Sequence, residues 1–142
     1  MAIGNNALPA KRAGAALVLI VDDYDDSREM YAEFLELSGF RVCQAHDGGQ
    51  GLVKARQLHP DVIVMDPSLP GLDGWEVIKQ LKMDSATKGI PVIALSGHDE
   101  AHLAAKQRPS WDYFLNKPCP PEELVRGMQQ ALSRRSAVKK RQ

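Results

Sequence analysis

The chain is predicted to be an α/β protein, with five parallel strands wound on both faces by helices. Strand-like runs occupy residues 17–21, 41–45, 61–65, 91–95 and 112–116, and longer segments of helical period separate them. Such alternation predicts βαβ units in a parallel sheet. Most of the runs are nearly continuous in apolar residues, as strands buried on both faces require. They also end in groups with chemistry to offer: Asp22-Asp23, Asp66, Ser96-Gly97 and Lys117-Pro118.

Residues 1–15 are small and polar without periodicity, so they are expected to form a loose arm before a folded domain at 16–135. Residues 17–21 read as a buried strand. Residues 25–38 carry Met30, Phe34, Leu35 and Leu37 at helical spacing, and Gly39 supplies the stop. Residues 41–45 form a second, short strand, followed by a helix over 49–58 that His59-Pro60 closes. Residues 61–65 are the third strand. The next helix, 74–83, presents Trp75, Val77, Ile78 and Leu81 on one face. After the strand at 91–95 come a short helix over 99–107 and the strand at 112–116. The last helix, 121–135, buries Leu124, Val125, Met128 and Leu132, and residues 136–142 are left as a basic tail. No internal repeat or second domain is visible.

At 142 residues the chain holds one domain with a proper core, and 44% hydrophobic with 25% charged residues is ordinary for a globular protein. The net charge is zero, so no overall field argues for nucleic acid or a membrane surface. No acid follows Glu123, whereas Arg126, Arg134, Arg135, Lys139, Lys140 and Arg141 are basic. A solvated helix end accounts for this run, and a polyanion-binding tail is the sharper alternative. Cys43 and Cys119 form no metal or redox motif, which fits a reduced cytoplasmic setting. Lys11-Arg12 before an apolar run imitates a signal peptide, but the run enters Asp22-Asp23 without a cleavage site and is too short for a bilayer.

Ligands in open α/β sheets sit beyond the C-terminal strand ends. Taken singly, Asp66 is a turn or cap residue, Asp22-Asp23 a helix cap, Ser96 a loop hydroxyl and Lys117 a surface cation. Together at one sheet edge they suit phosphoryl transfer to a carboxylate. Asp66 is the candidate nucleophile. Asp22 and Asp23 offer hard oxygens for Mg²⁺, with the Ser68 carbonyl as a further ligand. Lys117 can pair with phosphoryl oxygens, Ser96 can donate its hydroxyl, and the Gly97 N–H lies at the start of a loop. Other signals are weak. His98 and His102 lack the following Glu of a zinc-protease motif and a third ligand. The Gly48-Gly49-Gln50-Gly51 run lacks dinucleotide-binding spacing, and Cys119 has no adjacent base.

The segments Leu19-Ile20-Val21-Asp22-Asp23, Asp66 with Leu69-Pro70-Gly71-Leu72-Asp73-Gly74-Trp75-Glu76, Pro91 through Gly97, and Phe114-Leu115-Asn116-Lys117-Pro118 together resemble the receiver domain of bacterial response regulators. The resemblance implies a flavodoxin-like (βα)5 fold with strand order 2-1-3-4-5. It implies Asp66 as phosphoacceptor, supplied by a sensor histidine kinase or a histidine phosphotransfer protein. Asp22, Asp23, Asp66 and the Ser68 carbonyl would bind Mg²⁺, and Lys117 would bind the phosphate ahead of a cis bond to Pro118. Ser96 and Phe114 would be the switch pair.

Three departures stand out. Pro67 removes an N–H beside the phosphoacceptor and stiffens its loop. Phe114 has no hydroxyl, so its part in a switch is packing alone. Residues 107–111, ending in Trp111, replace the small approach to the last strand, and Trp111 is either a partner surface or a cover for the sheet edge. His98 stands where relatives control water access to the phosphate.

The expected function is a single-domain, cytoplasmic phosphorelay receiver. It is not an enzyme beyond self-phosphorylation and autodephosphorylation. It would signal by protein–protein contact through the 99–107 helix, the last strand and the last helix. The alternatives are a phosphorylation-independent interaction module on the same fold, hinted at by Pro67, and a haloacid-dehalogenase-type phosphatase. The latter needs an acid two residues after the nucleophile, where Ser68 stands.

Overall fold

A computed structural model describes residues 15–68, 74–97 and 111–141. The expected arm, the helix at 99–107, His98 and the segments 69–73 and 107–110 lie outside the described residues. The elements are β1 (Leu17–Val21), α1 (Asp25–Leu37), β2 (Arg41–Ala45), α2 (Gly48–Leu58), β3 (Val62–Met65), α3 (Gly74–Met83), β4 (Val92–Ser96), β5 (Tyr113–Asn116) and α4 (Pro121–Arg141). All strand pairs are parallel and the order is β2-β1-β3-β4-β5. This is the expected topology.

Alternation along each strand splits the core in two. Leu17, Leu19, Val21, Ile63 and Met65 face α2 and α3, where Leu52, Ala55, Val77, Ile78 and Leu81 meet them. Val18, Ile20, Val62, Val64, Ile93 and Leu95 face α1 and α4, against Tyr31, Ala32, Leu35, Leu124 and Met128. The expected apolar face of α3 is buried throughout.

The inner face of α1 is only partly the expected one. Leu35 is buried as expected, but Met30 and Leu37 are exposed, and Arg28, Tyr31 and Ala32 join Leu35 on the buried face. Both sets fit a 3.6-residue period. The packed set wins because its polar members find partners: the Tyr31 hydroxyl donates to the Cys119 carbonyl at 2.7 Å, and Arg28 bonds the end of β1. Gly39 ends the segment at φ 100°, a left-handed conformation that costs glycine nothing. Helix α4 continues to Arg141, through most of the segment read as a tail.

Candidate functional site

The loops after β1, β3, β4 and β5 open on the same sheet edge, and three of the expected residues meet there. Lys117 Nζ lies 3.0 Å from Asp22 Oδ2 and 3.3 Å from Asp66 Oδ2. Parallel register makes this possible: Val21 pairs with Met65, so Asp22 and Asp66 leave neighbouring strands at the same level. The Lys117 N–H donates to the Ser96 carbonyl at 2.7 Å, which extends the β4–β5 ladder to the lysine. The Lys117-Pro118 peptide is cis, as expected.

Asp22 is buried, and its Oδ1 accepts the Tyr24 N–H at 3.0 Å. It is not a helix cap: Tyr24 holds the N-cap position of α1 and makes no side-chain cap bond. Burial pulls the Lys117 ammonium's pKa down, but the bonds and charges of Asp22, then Asp66, outweigh it and leave the pKa raised. The lysine is therefore a firm cation at neutral pH, held between two carboxylates.

Asp66 Oδ1 accepts the Ser68 N–H at 2.8 Å. Ser68 thus touches Asp66 through its amide, a different group from the carbonyl expected to act. Pro67 is buried between them. A Cβ on Gly74 would lie 2.6 Å from both Cα and O of Pro67, so α3 can begin this close to the loop only with glycine there. Ser96 is fully buried at the end of β4, and Gly97 follows it, exposed. Phe114 lies within β5, paired with Ala94, its ring centroid 5.2 Å from that of Trp111. Trp111 also packs 4.7 Å from Trp75 and is half-buried.

Asp23 is exposed, and the Lys117 ammonium contacts run to Asp22 and Asp66. Among the described residues no group of three His, Cys, Asp or Glu side chains gathers closely enough to hold a metal alone. The donor set still suits Mg²⁺, which takes one or two carboxylates and fills its octahedron with phosphate oxygens and water.

One residue of the site escaped the sequence reading. Arg28 is buried, its Nη1 donates to the Asp22 carbonyl at 2.8 Å, and its Nε donates to Gln44 Oε1 at 2.9 Å. A lone cation among the five acids of residues 22–29 was the available signal.

The profile of the response regulator receiver domain matches residues 18–129. The chain belongs to the response regulator receiver family. It is 37% identical to protein PilH of Pseudomonas aeruginosa over 120 residues, covering 83% of this chain and 98% of PilH. It is 35% identical to the phosphate regulon regulator PhoB of Escherichia coli over 87% of this chain, but spans only 55% of PhoB. The solved chemotaxis response regulator CheY4 of Vibrio cholerae superposes with a TM-score of 0.77 at 32% identity, covering 83% of this receiver and 99% of CheY4. Receivers are signalling domains of two-component systems rather than conventional enzymes, and a phosphoacceptor role is general to them. No described helix is long and apolar enough to cross a membrane.

Proposed function

We propose that this receiver accepts a phosphoryl group on Asp66 from the phosphohistidine of a sensor kinase or phosphotransfer protein. The observation that carries the reading is the shared Lys117 contact with Asp22 and Asp66 at the C-terminal sheet edge. A carboxylate oxygen of Asp66 forms the new O–P bond as the N–P bond of the donor breaks, and the departing imidazole takes its proton from solvent. Lys117 moves its pairing from the carboxylates to the transferred oxygens. Ser96 and the Gly97 N–H border the same edge and supply hydrogen bonds to that group. Asp22, Asp23, Asp66 and the Ser68 carbonyl would hold Mg²⁺. When bound, that ion offsets the repulsion between the acidic edge and the incoming phosphoryl group.

Phosphorylation then biases Ser96 and Phe114 and, through β5, the outer face of β5 and α4. A groove of about 530 Å³ lies there, bordered by Tyr113, Arg126, Gln129, Gln130, Ser133 and Arg134, and suits a downstream protein. A cytoplasmic setting agrees with two free, buried thiols at Cys43 and Cys119.

The test is intact mass spectrometry after incubation with acetyl phosphate and Mg²⁺, beside Asp66→Asn. A phosphoryl adduct is expected on the unsubstituted protein and not on the variant. A protein that binds Mg²⁺ yet never gains an adduct would instead be an interaction module. Turnover of small phosphomonoesters would mark a phosphatase.

A further inference from the structure

Residues 22–29 hold five acids and a single cation, Arg28. That cation is 8% exposed, in a helix whose other ionised residues face solvent. Its three nitrogens reach three elements. Nη1 donates to the Asp22 carbonyl at the end of β1 at 2.8 Å, and Nε donates to Gln44 Oε1 on β2 at 2.9 Å. Nη2 pairs with Asp25 Oδ1 in the first turn of α1 at 2.8 Å. Gln44 is itself fixed from the other side, because Lys54 Nζ donates to its carbonyl.

We infer that Arg28 is a positioning residue for the cation site, clamping the Asp22–Asp23 peptide so that the acidic turn is set before Mg²⁺ arrives. The inference rests on the receiver reading of that turn. Its physical basis is twofold. A buried charge is tolerated only when its donors are paired, and all three nitrogens of Arg28 are paired. A planar guanidinium can also span three acceptors in fixed directions, whereas an ammonium is a compact point charge. The Asp22 peptide is thus pinned by its carbonyl, while its carboxylate is pinned by the Tyr24 N–H and Lys117. Arg28 touches neither the phosphoacceptor nor its lysine directly, so it acts through Asp22.

Arg28→Lys keeps the charge and removes the fork. Mg²⁺ affinity, measured by calorimetric titration of the full chain, should weaken about tenfold, as when the partner of a metal ligand is lost. Hydrogen exchange at the Tyr24 amide should quicken in the same variant. Arg135→Met is the comparison: it removes the bond from α4 to the Asp61 carbonyl, outside the cation site, and should lower thermal stability with Mg²⁺ affinity unchanged. Should Arg28→Lys fail to fold, Gln44→Met decides the matter, since it leaves the arginine but removes the acceptor of its Nε and should also weaken Mg²⁺. Wild-type affinity in whichever of the two variants is folded overturns the inference and leaves Arg28 a structural residue. If the unsubstituted protein binds no Mg²⁺, the Mg²⁺-dependent phosphoacceptor reading and this inference fall together.

Discussion

Gly74→Ala adds one methyl group where the structure has no room for it. The new Cβ would stand 2.6 Å from Cα and O of Pro67, and that gap must open to about 3.4 Å before the contact is ordinary. The obstacle is backbone, so no side-chain rotation relieves it. Overpacking of this kind costs roughly 1–3 kcal/mol. The gain in helix propensity from Gly to Ala is at most about 1 kcal/mol and smaller at the first helical position. A net loss of about 1–2 kcal/mol follows, lowering the unfolding temperature by roughly 3–8 °C. Gly89→Ala is the matched control, since nothing lies within 4 Å of its Cβ position, and it should stay within about 0.5 kcal/mol of the parent. Urea and thermal unfolding of the three proteins provide the comparison. Because Pro67 is joined to Asp66, Gly74→Ala should also slow acetyl phosphate labelling of Asp66. A Gly74→Ala protein as stable as Gly89→Ala, with labelling unchanged, would refute the close-contact argument.

Lys117→Met strands the buried Asp22 carboxylate, and urea unfolding should show a loss of about 2–3 kcal/mol, below the ~3–5 kcal/mol of a fully buried broken pair because Lys117 and Asp66 keep some solvent contact. Added Mg²⁺ should recover part of it. The folded pKa of Lys117 is raised above 10.5, so its pairing contributes fully below that pH and is lost as pH climbs through the raised value. The parent's urea midpoint should therefore decline more steeply on the alkaline side than that of Lys117→Met, in which the raised Tyr31 and Cys43 still contribute a decline. Burial pushes the Cys43 thiol up to about 11 and also raises Cys119, so iodoacetamide at pH 8 should label neither until urea unfolds the chain. Trp111 packs on both Trp75 and Phe114, so a phosphate mimic at Asp66 that moves Phe114 should shift tryptophan emission, and Phe114→Leu should abolish the shift.

Much of the site was legible because each candidate stands at the end of an apolar run. A parallel sheet places all such ends on one edge, so Asp22, Asp66, Ser96 and Lys117 could be grouped without coordinates. Arg28 was not legible in this way. It sits inside a helix, and its value comes from acceptors at residues 22 and 44, on two separate strands. The face of α1 was partly misread for a related reason: Met30 and Leu37 are more hydrophobic than Arg28, yet hydrophobicity ranks side chains without knowing which polar ones will be partnered.

Strand–helix alternation, the parallel sheet and the placing of the candidate phosphoacceptor at a strand end were determined by the sequence alone. Local patterning and covalent order settle them, since right-handed crossovers leave few ways to wind such a chain. The tertiary structure decided which carboxylates share Lys117, why residue 74 must be glycine beside Pro67, and which arginine is drawn beneath the acidic turn. Those outcomes depend on distances of a few tenths of an ångström between segments far apart in the chain, and only packing sets such distances.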